Sequence, residues 1–468
     1  MGEELAFAPV AELARMIASR EISPLELTDH FLARADRLNS KCSAFIEVTS
    51  DDARGAAAAA DATPPQGPLH GIPFASKDLI DVAGVKTTAG SQVLADNCAE
   101  ADAHVIARLR AAGAISLGKL NLHEFAYGAT GENRCYGTPV NAYDRTCLAG
   151  GSSSGSAAAV AFGLVPAALG TDTGGSVRAP ASLCGLVGLK PTFGRISTRG
   201  VVPYSWTLDH VGIISRTVED AALLLGVIAG HDPLDPNTAR EPVPDYVAEI
   251  AADKRLDGLT IGVPRRFFFD HADEEILTST EHVLRHLERM GAIVRDVELP
   301  SMEHARTVSL TIQMPEALSF HSRYLEDRGH LYSDDFRAGL ALGQCILAEH
   351  YIRAKRMVTR YRQEVDETMS SVDLLITPTT PVTAPKIGEV NVAIDGGQEA
   401  VGNAITRFTT FFNMSGQPAI TVPSGMHSSG LPMGVQLVAR NFEESLLLRA
   451  ASAVNREEKF HVAPPNIG

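Results

Sequence analysis

From Gly71 to Thr192 short apolar runs alternate with helical stretches, and this alternation limits the fold more than any other feature. The runs are Ile72 to Ala75, Ala114 to Leu117, Val165 to Leu169 and Leu186 to Leu189. Strand-length apolar runs separated by helices predict an α/β fold, in which one large sheet is covered by the helices that connect its strands. The pattern resumes with Gly258 to Pro264, an amphipathic stretch from Glu274 to Met290, and Ala292 to Val297, which predict a further β-α-β segment. Residues 300–370 read mainly as helix, and Asp373 to Pro378 with Ala419 to Pro423 return to strand.

The first 60 residues read as helices. Ser23-Pro24-Leu25-Glu26 supplies an N-cap serine, a proline at the first helical position and a capping-box glutamate, predicting a helix that runs to Leu38. Thr63-Pro64-Pro65-Gln66-Gly67-Pro68 breaks the pattern, so a helical N-terminal region is expected over about 1–66. No internal repeat and no true linker follows, so residues 1–468 are expected to share one core as a single domain.

Two serines 24 positions apart stand in glycine-rich turns: Ser152 in Gly150-Gly151-Ser152-Ser153-Ser154-Gly155, and Ser176 in Thr171-Asp172-Thr173-Gly174-Gly175-Ser176. Glycine lets the backbone bring N–H groups close to a ligand, so a serine in such a turn can face a bound carbonyl. Gly/Ser clusters are otherwise flexible loops. Here Ala157 to Phe162 follow the first as a helix-forming run, and Leu164 to Leu169 lead into the second as a strand, so both turns join ordered elements. Either serine can then be a nucleophile. A serine hydroxyl needs a base, and Lys77, at the end of Gly71-Ile72-Pro73-Phe74-Ala75-Ser76-Lys77, is a candidate: desolvation lowers the pKa of a lysine toward neutrality. The competing reading is an ordinary surface lysine.

Composition narrows the rest. A net charge of −15 disfavours non-specific binding to nucleic acid or to an anionic membrane and suits a small neutral substrate. Six scattered cysteines without a C-x-x-C pair give neither a metal signature nor a disulfide framework, so no metal and no cofactor are expected. Met1-Gly2-Glu3-Glu4-Leu5 lacks the basic, apolar start of a secretory signal, and the apolar stretch Ala157 to Gly170 is too short for a bilayer and broken by Gly163 and Pro166. A cytoplasmic protein, monomeric or homodimeric, is expected.

Taken together, Lys77, the Gly-Gly-Ser-Ser cluster and Thr171 to Ser176 resemble the amidase signature family of serine hydrolases. The resemblance runs from Leu69-His70-Gly71-Ile72-Pro73 through Gly118-Lys119-Leu120-Asn121 and the stretch from Gly150 to Thr192 to Gly416-Gln417-Pro418-Ala419-Ile420. It implies a large mixed central sheet covered by helices on both faces, a signature core over 67–230 and a helical region over 300–370 lining the substrate pocket. It also implies a Ser-cisSer-Lys triad: Ser176 as nucleophile, Ser152, entered by a cis peptide, as proton relay, and Lys77 as base and later acid. Thr173, Gly174, Gly175 and Ser176 would offer N–H groups to the oxyanion. Tyr127, Gly128, Ser153 and Arg178 are the candidate substrate contacts, although Arg178 with Asp172 reads first as a structural pair and Tyr127 also reads as packing. Ser154 departs from the Gly-Gly-Ser-Ser-Gly-Gly of many members.

The family's substrates include small amides, anilides, carbamates and ureas, and it includes the glutamine-hydrolysing chain of the glutamyl-tRNA amidotransferase. That chain usually carries an aspartate where Thr406 stands here, which favours a free-standing amidohydrolase. Phe408, Phe411 and Phe412 are either pocket or core. Other motifs compete: Gly151-Ser152-Ser153-Ser154-Gly155 fits a G-x-S-x-G elbow with Ser153 as nucleophile, and Ser116-Leu117-Gly118-Lys119 fits S-x-x-K without its companion motifs. His70 and His123 read as hydrogen-bonded scaffold, and Cys184 as core.

Overall fold

The computed structural model describes residues 2–65, 67–252, 255–465 and 467. The boundary expected at residue 66 lies outside them.

The strands, in chain order, are β1 (Phe45–Val48), β2 (Pro73–Lys77), β3 (Ile115–Leu120), β4 (Ala167–Asp172), β5 (Val187–Lys190), β6 (His210–Ser215), β7 (Thr260–Val263), β8 (Ile293–Asp296), β9 (Leu374–Pro378), β10 (Asn391–Ile394), β11 (Gly397–Ala400), β12 (Ala419–Met426) and β13 (Pro432–Ala439). All but β10 and β11, which pair as a separate hairpin, join one 11-stranded sheet in the order β1-β3-β2-β4-β6-β5-β12-β13-β9-β7-β8. The sheet is mixed: β2 lies parallel to β3 and β4, whereas β6, β5, β12 and β13 run antiparallel to their neighbours. Every residue of β2, β4, β5, β6, β9 and β13 is buried. A strand buried at successive positions is covered on both faces, which accounts for its continuous rather than alternating apolar sequence.

The chain's α/β alternation is therefore real, with most boundaries displaced by one to three residues. The capping box forms as the residues dictate: Glu26 N–H donates to Ser23 Oγ at 3.1 Å, and Ser23 N–H donates to Glu26 Oε2 at 2.9 Å. That helix continues to Cys42, past the expected end at Leu38. The N-terminal 60 residues are not wholly helical, because β1 leaves the helices to pair antiparallel with β3. β6 and β13 were not anticipated, and the 300–370 region holds helices at Ala305–Arg328, Asp334–Cys345 and Ala348–Met369. Among the described residues no helix is long and apolar enough to cross a membrane.

Candidate active site

Lys77 is the last residue of β2, between β3 and β4, and has no solvent exposure. Its Nζ donates to Ser152 Oγ at 2.7 Å, to Thr171 Oγ1 at 2.9 Å and to Ser153 Oγ at 3.1 Å. Burial pulls its pKa from 10.5 down to about 7, against the opposing charges of Asp209 and Asp172. The surface-lysine reading is excluded, and the amine is neutral over part of the physiological range.

The Ser152 loop follows a cis Gly151–Ser152 peptide and leads into the helix Ser154–Ala161. The departure at Ser154 has a steric explanation. A Cβ on Gly155 would lie 2.4 Å from the Asn121 nitrogen, so glycine is required at 155, whereas Ser154 begins the helix without such a clash. Ser153 does not reach the cavity. It is fully buried, its hydroxyl donates to Thr171 O at 3.1 Å and accepts from Thr171 N–H at 3.2 Å, and its own N–H donates to Ser176 O at 3.2 Å. These bonds tie the two serine turns together. They also correct the assignment of Ser153 as a substrate contact and remove the G-x-S-x-G reading.

β4 ends at Asp172, and the turn that follows is organised by that carboxylate. Asp172 accepts from Gly175 N–H at 2.8 Å, Val177 N–H at 3.1 Å, Asn413 Nδ2 at 2.8 Å and Arg178 Nη2 at 2.9 Å. Burial raises its pKa, but the Arg178 charge and these hydrogen bonds outweigh burial and hold it well below the usual carboxylate range. Gly175 N–H is thus committed, which corrects its inclusion among the oxyanion donors. Among the described residues the N–H groups of Thr173, Gly174 and Ser176 have no such acceptor. Arg178 is fully buried and each of its N–H groups is bonded, to Asp172, Thr409 O, Gln436 Oε1 and Asn413 Oδ1. It has none left for a substrate, so its substrate-binding assignment is also corrected.

The turn is clamped from the C-terminal part of the chain. Thr409 Oγ1 and Thr410 Oγ1 donate to Gly174 O at 2.7 and 3.1 Å. Gly175 has φ +125°, and a Cβ there would lie 1.9 Å from Thr409 Oγ1, so only glycine fits. On the other side, Thr173 Oγ1 donates to Asp209 Oδ1 at 2.6 Å, and Asp209, which also accepts from Tyr204 and Ser205 N–H, is pushed up to about 6 by burial.

Ser176, Thr173 and Gly174 open on a cavity of about 400 Å³. Tyr127 and Gly128 line it, as does Thr406, together with Ser309 and Gln313 from the helix Ala305–Arg328. Phe408, Phe411 and Phe412 do not: all three are fully buried and pack with Phe268 and Tyr361 as core. Lys119 of the S-x-x-K motif is locked in a buried pair with Asp78 at 2.8 Å. His70 bonds Ala60 O at 3.0 Å, His123 bonds Asp335 at 3.0 Å at the cavity wall, and burial pushes the Cys184 thiol up to about 12. No cluster of side chains suited to a metal ion occurs among the described residues. Asp209 and Asn413 escaped the sequence reading because neither stands in a motif, and Thr171, although it opens the second serine motif, carries no role there.

The assembly is a fully buried amine hydrogen-bonded to Ser152, Ser153 and Thr171, with a second serine, Ser176, at the cavity beside N–H groups that have no acceptor among the described residues. A model of the Amidase family matches residues 26–448, and the chain belongs to that family. It is an enzyme that hydrolyses amide C–N bonds other than ordinary peptide bonds. An amidase of Pseudomonas putida is 41% identical, with 98% of this chain and 97% of the relative aligned. A component chain of the glutamyl-tRNA(Gln) amidotransferase of Chloroflexus aurantiacus is 39% identical over 99% of both chains. A solved chain from a vestigial protein complex linked to the origins of an s-triazine catabolic enzyme superposes with TM-score 0.92 at 36% identity, covering 95% of this chain and 98% of its own.

Proposed function

We propose that the chain cleaves a small amide through an acyl-enzyme on Ser176. Ser176 Oγ attacks the carbonyl carbon, its proton passes through Ser152 to Lys77, and the oxyanion is met by the N–H groups of Thr173, Gly174 and Ser176. Collapse breaks the C–N bond as the proton returns from Lys77 through Ser152 to the amine. Water then hydrolyses the ester, again losing a proton toward Lys77, and frees the acid. The observation that carries this reading is the 2.7 Å bond from Lys77 Nζ to Ser152 Oγ in a buried site where lysine is held near neutrality. A hydroxyl both donates and accepts, which suits Ser152 to a relay.

Labelling with a fluorophosphonate followed by peptide mass spectrometry tests the assignment. The adduct is expected on Ser176 and is expected to vanish, with all amide turnover, in Ser176→Ala. An adduct on Ser153 instead would refute it.

The likeness to the amidotransferase chain supports a second reading, in which glutamine is the amide and partner chains are needed. Thr406 at the cavity, where the resemblance calls for an aspartate in the amidotransferase, favours the free-standing hydrolase. Turnover of simple amides by the purified chain alone supports the first; activity only with added partner chains reverses the choice.

A further inference from the structure

The cavity holds a cation that amide hydrolysis itself does not use. Arg306, in the first turn of the helix Ala305–Arg328, lines it. Its one hydrogen bond among the described residues runs from Nη1 to Thr406 Oγ1 at 3.2 Å, and it has no salt-bridge partner there. Glu399, whose charge favours the Arg306 cation, is itself bonded to Arg407 at 2.6 Å. The acids at the cavity wall are likewise engaged: Asp335 with His123 at 3.0 Å, Glu132 accepting from Gly388 N–H at 3.1 Å and Glu389 from Lys386 N–H at 3.0 Å. A guanidinium carries five N–H donors and stays charged even where burial lowers its pKa, as it does here, so most of the donors of this cavity-lining fork have no partner among the described residues.

A second, independent observation falls in the same place. Tyr204 also lines the cavity, is only 3% exposed, and its hydroxyl has no hydrogen-bond partner among the described residues. Buried hydroxyls are nearly always paired, so an orphan on the wall of a cavity calls for an explanation, and a ligand atom supplies one. Arg306 acts electrostatically on both Tyr204 and Tyr127, whose rings meet edge to face with centroids 6.1 Å apart. One cation and two phenols therefore lie near one another on the wall of one small cavity.

We infer that Arg306 and Tyr204, with Tyr127, form an anion subsite, and that the substrate is a small amide carrying a carboxylate distant from the bond that is cut. The planar fork suits bidentate binding of a carboxylate, and the phenol hydroxyl adds a further donor. The inference rests on the Ser176 reading only for which bond is cut; the subsite itself stands on the cavity.

Steady-state hydrolysis of succinamate, glutaramate and adipamate, each compared with its neutral diamide, tests it. At least one anionic amide is expected to exceed its diamide in kcat/KM by about ten- to a hundredfold, the worth of a charged hydrogen-bonded contact. Arg306→Met should collapse that ratio toward one, mainly through KM, with Arg306→Lys intermediate and Tyr204→Phe lowering the ratio with the cation kept. Neutral diamides cleaved as well as the acids, or a loss in Arg306→Met equal for both, would overturn the subsite. Calorimetric titration of Ser176→Ala with succinate, glutarate and adipate decides the same point without turnover: binding of a dicarboxylate that Arg306→Met abolishes supports the subsite, and no binding of any of them refutes it. Turnover surviving in Ser176→Ala would instead refute the nucleophile and leave the anion comparison intact.

Discussion

A lysine whose pKa is about 7 in the fold and 10.5 when exposed must leave a signature in stability. The sign follows from proton counts. Below pH 7 both folded and unfolded chains hold the proton, and the full cost of burying the charge is present. Between about 7 and 10.5 the unfolded chain still binds it and the folded chain does not, so stability rises with pH, by about 1.4 kcal/mol for each pH unit. Above 10.5 both are neutral and the cost is gone. Across the window the effect amounts to about 5 kcal/mol. Replacing Lys77 by Met removes this one titration and leaves the others in place. Urea unfolding of wild type and Lys77→Met at pH 7.5, 8.5 and 9.5 should therefore give a stability difference that shifts in favour of wild type by about 2 to 3 kcal/mol from the first pH to the last. Wild-type kcat/KM for an amide should rise about tenfold per pH unit below 7 and level off above it. Parallel stability curves for the two proteins across this range would show that Lys77 is not held neutral and would remove the basis of its role as base.

Two further substitutions probe the turn that carries Ser176. Gly175→Ala forces a side chain into Thr409 at a φ that suits glycine, and should lower unfolding free energy by about 2 kcal/mol or more and cut kcat steeply, measured by denaturant unfolding and steady-state kinetics. Arg178→Met leaves the buried Asp172 carboxylate without its cation and should cost about 3 to 5 kcal/mol, read as a lower denaturation midpoint; a change below about 1 kcal/mol would mean the pair is not structural.

Lys77 and the two glycine-rich serine turns were legible because their local chemistry is unusual: glycines where backbone must approach closely, and a lysine closing an apolar strand. Their correct weighting was only partly legible. That Gly175 N–H is held by Asp172, and that Ser153 bonds to β4 rather than to a substrate, depends on where carboxylates and strands meet in space. The aromatic trio at 408–412 has the same composition whether it lines a pocket or a core, and only packing against Phe268 and Tyr361 decides. β6 and β13 escaped because Gly212 in the one and Pro432, Gly434 and Gln436 in the other interrupt the apolar run, and the helical 300–370 segment carries Arg306 with no motif around it to announce a role.

The clamp on Gly174 ties the serine turn to threonines that a ribosome makes more than 200 residues later. Domains emerge N-terminus first, and β5 can pair with β6 early, but its other edge stays open until β12 has been synthesised. The nascent chain thus carries both serines and the lysine long before it holds a finished site. On the proposed reading, a chain cut short before Thr409 would hold Ser152, Ser176 and Lys77 without the two hydroxyls that grip Gly174.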